Sequence, residues 1–202
     1  MRKLSPCMFA LCLGFASLTH AQATTTKTKF KGNTAHASAA SGDDGCFSAF
    51  WGVTASDEVT KDSTGKTVTK TVQIGYGGRD VCEHLSFGGV QNKELTIAIG
   101  AQTSVSFDFD FLVNYANTET DERFTRRLTG TVTITANGDF ERSQRTEIIQ
   151  SQQQRTVTRY KGNTREADVT LSVLLDGVPQ TLPIVSGELG TVKNGTIETT
   201  SY

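Results

Sequence analysis

The sequence predicts an all-β chain, an antiparallel β-sandwich of about ten strands with one disulfide. Three observations predict it. Apolar residues recur at every second position through most of the chain, as in Val105, Phe107, Phe109, Phe111, Val113 and Tyr115, which is the period of a half-buried strand. Helical periodicity is almost nowhere to be found. Turn pairs such as Asn137-Gly138, Asp176-Gly177 and Asn194-Gly195 punctuate the alternating runs at the spacing of short strands.

Taken in order, the chain opens with an address. Met1-Arg2-Lys3 is basic, Leu4 to Leu18 is mostly apolar, and Ala21-Gln22-Ala23 is a small-x-small processing site. This is the pattern of a secretory signal peptide over residues 1–23, and the apolar run is too short to anchor the chain in a bilayer. Residues 24–27, Thr-Thr-Thr-Lys, read as a loose leader, and residues 28–202 as a single domain, since no linker tract interrupts them. The domain begins with TKFKGNT (28–34), which returns as TRYKGNT (158–164). Each copy predicts strand, a Gly-centred bulge or turn at a sheet corner, then strand.

Between the copies, Phe47, Ala49, Trp51, Val53 and Ala55 alternate with polar neighbours, and Val68, Val72, Ile74 and Tyr76 do so after the turn Asp62-Ser63-Thr64-Gly65. They predict a hairpin whose second strand ends at Gly77-Gly78. Further strands are expected from Cys82 through Phe87, over Leu95, Ile97 and Ile99, along the Phe-rich run 105–115, and from Phe124 to Ala136. Asn137-Gly138 then predicts a hairpin to a polar edge strand, and Asn194-Gly195 a last one. Pro179 and Pro183 limit the segment around them to a short or edge strand.

With the signal removed, the cysteines are Cys46 and Cys82. In an exported chain an even pair is expected to be oxidised, and closing this loop removes chain entropy worth roughly 4 kcal/mol. Lysine and arginine number 20 against 21 aspartates and glutamates, a formal net charge of -1. That balance carries no polyanion or anionic-membrane footprint, so nucleic acid is not an expected partner.

The candidate chemistry is sparse. Asp108 and Asp110 are two residues apart on a strand, so both carboxylates point to one face about 7 Å apart. Such a pair can serve glycoside hydrolysis or ligate calcium, the one cofactor the sequence offers; opposite a Phe stripe it also reads as solvated outer surface. Asp43-Asp44 reads as turn chemistry or calcium ligation. His36 and His84 are too few for a histidine metal site, and no nucleophile elbow accompanies His84 and Ser86. Arg126, Arg127, Arg142 and Arg145 either line an anion-binding face or pair with Glu122, Glu141 and Glu147.

Lys31, Gly32, Ala35 and Ala37, then Asp44-Gly45-Cys46, Cys82, and Lys161, Gly162, Arg165 and Ala167 together resemble a group of secreted bacterial β-rich proteins of unassigned activity. The resemblance implies an exported all-β domain and no reaction. The expectation is therefore a secreted or periplasmic, non-catalytic binding or surface-interaction module, acting on a protein or polysaccharide surface and not integral to a membrane. The alternative is a carbohydrate-active enzyme or calcium-dependent lectin using Asp108 and Asp110.

Overall fold

A computed structural model describes residues 23–41 and 45–202. The expected signal peptide, apart from Ala23, and Asp43 and Asp44 lie outside the described residues. The strands are β1 (Thr24–Ala40), β2 (Phe47–Lys61), β3 (Lys66–Asp80), β4 (Leu85–Glu94), β5 (Ser104–Asn117), β6 (Arg123–Ala136), β7 (Glu141–Gln150), β8 (Gln154–Leu175), β9 (Val178–Gln180) and β10 (Ile184–Ser201). All ten belong to one antiparallel sheet, and a single 3-10 turn, Ile99–Ala101, is the helical structure among the described residues.

The sheet's neighbours run β1-β2-β3-β4-β5-β6-β8-β10, and β10 pairs with β1 again. The hydrogen bonding thus closes into a ring, and the two layers expected of a sandwich are opposite walls of one continuous sheet. Ring closure removes the sheet edges along this circuit. The walls meet where Trp51 of β2 packs against Phe109 of β5, ring centroids 5.9 Å apart. Around them lie Ile74, Val113, Leu128, Val132 and Ile134, all fully buried. Each contributes about 1.5–3 kcal/mol through its removal from water. The small residues Ala35, Ala37 and Ala39 of β1 leave room for the Trp51 indole on the neighbouring strand.

Closure is least regular between β4 and β5, whose backbone pairing is confined to Leu85–Gly88 against Asn114–Asn117. Beyond it, side chains bridge the seam: Gln91 Nε2 donates to Asp110 O (2.7 Å), Asp110 N donates to Gln91 Oε1 (3.3 Å), and Lys93 Nζ donates to Asp108 O (2.9 Å). Asp108 O, Asp110 O and Asp110 N of β5 are thereby satisfied without a strand partner. Cys46 and Cys82 form the expected disulfide, Cα atoms 5.2 Å apart. It ties the entry to β2 onto the turn between β3 and β4.

Several local expectations need correction. Residues 24–27 are no loose leader: β1 begins at Thr24, and its first residues pair with the end of β10. Gly77-Gly78 lies inside β3, where Gly78 permits close approach, since a Cβ there would press into Ser48 O. Cys82 sits in a turn before β4. Leu95, Ile97 and Ile99 form no strand; this segment crosses one end of the ring, where Leu95 and Ile99 are buried.

Both Asn-Gly pairs also fail as hairpins, for one reason. A returning strand needs a free edge, but β6 already lies between β5 and β8, and β10 between β1 and β8. After Asn137-Gly138 the chain therefore resumes as β7 along the same side of the 22-residue β8. From Ala136 to Glu141 this side advances five residues against three on β8, from Ala167 to Thr164. Gly138 absorbs the excess at φ 84, and Asn137 Nδ2 donates to Asp168 Oδ1 (2.9 Å). Asn194-Gly195 sits within β10, at a register shift between Val192 and Asn194. Asp176-Gly177 does turn the chain, with both φ values positive, into the three-residue β9.

Candidate functional site

Past the ring, the long strands continue into an open sheet. In space its order is β7 (141–150), β8 (154–164), β10 (192–201), β1 (24–32), β2 (57–61) and β3 (66–70). Side-chain alternation carries straight through, so the residues that point into the ring define one face of the extension. On β1 the inward series Ala39, Ala37, Ala35 and Asn33 continues as Lys31, Lys29 and Lys27. On β3, Tyr76, Ile74 and Val72 give way to Lys70, Val68 and Lys66, and on β2, Val53 and Ala55 are followed by Asp57, Val59 and Lys61. On β8, Leu175, Val173 and Leu171 lead to Arg165, Lys161, Arg159 and Arg155, flanked by Arg142 on β7.

The apolar lining of the ring becomes a cationic face. Same-face neighbours lie about 5 Å apart across strands and about 7 Å along them, well within a Debye length of about 8 Å at physiological salt, so their potentials add. Among the described residues, Asp57 and Glu198 are the carboxylates on this face. Glu198 accepts from Lys27 Nζ (2.7 Å) and Arg159 Nη1 (3.2 Å), which hold its carboxyl below the usual range. Among the described residues, no carboxylate lies within salt-bridge distance of Lys29, Lys31, Lys61, Lys66 or Lys161.

The two repeat copies meet at the centre of this face. They flank β10 in matching register: Phe30, Gly195 and Tyr160 lie abreast, as do Gly32, Val192 and Gly162, Asn33, Thr191 and Asn163, and Thr34, Gly190 and Thr164. The bulge expected within each repeat belongs instead to β10, at Lys193, where one extra residue is inserted opposite both copies. Neither repeat glycine has positive φ. Each allows a close approach: a Cβ on Gly32 would press into Asp57 O, and one on Gly162 into Thr191 O.

The bulge carries Lys193 between Lys31 and Lys161. With the Asn163 amide turned so that its nitrogen donates to Gly162 O, its oxygen accepts from Lys193 Nζ at 3.2 Å; Thr191 Oγ1 donates to Asn33 Oδ1 at 3.0 Å. Open grooves of about 450 Å³ and 410 Å³ run between Lys31, Val59 and Lys193, and a third of about 210 Å³ lies against Arg159 and Lys161. The surface can hold anionic groups through ammonium and guanidinium donors, with amides and hydroxyls beside them.

The residues singled out from sequence lie elsewhere. Asp110 receives a bidentate contact from Arg127 (Nε to Oδ1 2.8 Å, Nη2 to Oδ2 2.5 Å), which keeps its carboxyl below the usual range. Asp108 accepts from Thr131 Oγ1 at 2.8 Å. The two carboxylates do share the outer face of β5, as their spacing predicts, but each is engaged with β6. No group of three or more candidate metal ligands occurs among the described residues. His84 stands 3.3 Å from Glu119, and His36 Nδ1 is 3.2 Å from Thr54 Oγ1.

Of the four arginines, only Arg142 joins the cationic face; Arg126 lies over the rings of Tyr115 and Phe124. That stack continues through Phe87 to Phe47, and its Phe87, Tyr115 and Phe124 line a groove of about 420 Å³. Burial pushes the Tyr76 hydroxyl beside it up to about 12.

No protein-family model matches the chain, and no curated protein matches it. Among solved structures, the enduracididine biosynthesis enzyme MppR, complexed with the condensation product of pyruvate and imidazole 4-carboxaldehyde, aligns at a TM-score of 0.32 and 9% identity over 98% of this chain and 95% of that one. A putative AttH from Nitrosomonas europaea aligns at 0.24 and 11% identity, over 88% of this chain and 51% of that one. Both scores are too low to carry an argument about fold or function.

Proposed function

We propose that the protein is an exported, non-catalytic binding module that holds an anionic partner on the open, cationic face of its sheet. The observation that carries this reading is the segregation of charge. In a chain of formal net charge -1, lysines and arginines from six adjacent strands converge on one face that holds two carboxylates among the described residues. Like charges at this spacing repel one another, and an arriving anion relieves that repulsion. Export rests on the residues 1–23 pattern alone.

The test is retention on a sulfated-dextran resin, eluted with a salt gradient. Wild-type mature protein should elute at markedly higher salt than a variant carrying Lys29→Gln, Lys61→Gln, Lys66→Gln and Arg155→Gln, and uncharged dextran should retain neither. Equal elution of the two proteins would sink the proposal.

A further inference from the structure

We infer that the occupant of this face is an acidic polysaccharide, laid across β1, β10 and β8 at the bulge. The inference rests on the anion-binding reading above and narrows it to a partner class and a location.

Three observations support it. First, Lys31, Lys193 and Lys161 form a row perpendicular to the strands, spanning two strand spacings or about 10 Å. A linear polymer with regularly placed carboxylates meets such a row with successive charges. Second, Asn33, Thr191 and Asn163 form a parallel row one step along the same strands. Amide and hydroxyl groups of this kind match the hydroxyls of a sugar ring, while Val59 supplies an apolar strip beside them. Third, among the described residues the strands of this face lack the aromatic platform on which single-stranded nucleic acid stacks. Phe30 and Tyr160, the aromatics of the repeat, alternate to the opposite face, where the Phe30 ring covers Gly195. The charged row also lacks the aromatic residues with which interfacial proteins enter a lipid surface.

The repeat thereby gains a functional meaning. Its two copies flank one strand in the same register and present Lys31 and Lys161 as near-equivalent arms about Lys193. A polymer seated there contacts both arms, and losing either arm should cost the same.

The experiment is calorimetric titration of the mature, disulfide-intact protein with polygalacturonate, compared with its fully methyl-esterified form, a mixed-sequence single-stranded DNA and vesicles containing phosphatidylglycerol. Polygalacturonate should bind and its ester should not. Lys31→Gln and Lys161→Gln should each weaken binding by about three- to tenfold, and to a similar extent, with circular dichroism unchanged. Lys193→Gln provides the same readout should either variant fail to fold.

Preferential binding of DNA or vesicles would overturn the polysaccharide assignment and leave the anion-binding face standing. Binding undiminished by all three substitutions would overturn the location. Failure to bind any polyanion would overturn both readings together.

Discussion

The ring and the open extension are made from the same strands, in the same phase, and differ in what the inward face carries. In the ring it carries alanine, valine, tryptophan and phenylalanine and is sealed by the opposite wall. In the extension it carries lysines and arginines whose charged ends face water, with Val59, Val68, Ile148 and a buried Val157 between them. Backbone continuity therefore does not require continuity of the core: a strand whose hydrogen bonds are satisfied on both sides can run beyond its hydrophobic partner. Residue pairs such as Lys27 with Glu198 then do locally what burial does in the ring, more weakly. The ring should be the stable part of the molecule and the extension the part free to meet a ligand.

The largest expected effect breaks the ring and asks whether the extension follows. Trp51 is fully buried between β1, β3 and the Phe109 ring. Trp51→Ala should lower unfolding stability by about 3–5 kcal/mol, read from the midpoint of a urea titration. Hydrogen exchange should show ring amides such as those of Val53 and Ile74 accelerating strongly. Amides of Thr67 to Lys70, at the open edge of β3, should exchange fast in both proteins because they open locally. Equal protection of the two regions in the wild type would remove the distinction between them.

How much of this could be read from sequence follows the same division. The β5 run, the hairpin at residues 62–65 and the pairing of Cys46 with Cys82 were legible because each depends on local chemistry: alternation, turn residues, or an even cysteine count. Where a strand found its partners was not legible. Asn137-Gly138 and Asn194-Gly195 carry a hairpin signature, but a hairpin needs an unoccupied edge, and occupancy is decided by strands far away in the chain. The cationic face was hidden by reading charge as a chain-wide sum. One signal was present: the phase that places Ala39, Ala37 and Ala35 inside runs back onto Lys31, Lys29 and Lys27. Extending the alternation past the last apolar residue finds it, but the polar Thr-Thr-Thr-Lys of residues 24–27 carries the composition of a leader and masks the continuation.

A smaller effect separates packing from charge at the boundary. Gly162→Ala adds no charge and removes none, but its Cβ would press into Thr191 O of β10. The backbone must shift, at about 1–3 kcal/mol, and the strand bearing Lys161 moves away from the bulge bearing Lys193. Thermal unfolding should show the loss, and salt-gradient elution from sulfated dextran should fall although every lysine is intact. Unchanged elution beside reduced stability would mean that the face acts as diffuse charge, with no defined geometry at the bulge.

The smallest expected effect tests the other side of the same sheet. Glu58 lies on the outer face of β2, opposite Gly32 and Thr69, and partial burial raises its carboxyl above the usual range. The native state thus holds a proton on Glu58 more tightly than the unfolded chain does. The sign follows from linkage. Above the raised value the ionised carboxylate disfavours folding, and below the unfolded value of about 4.3 the group is neutral in both states and the penalty vanishes. Glu58→Gln should therefore raise the melting temperature slightly at pH 7 and leave it unchanged at pH 3. A gain of equal size at both pH values would assign the effect to packing rather than charge. No gain at pH 7 would mean that water reaches this carboxylate in the native protein and that the outer face is open at the junction of ring and extension.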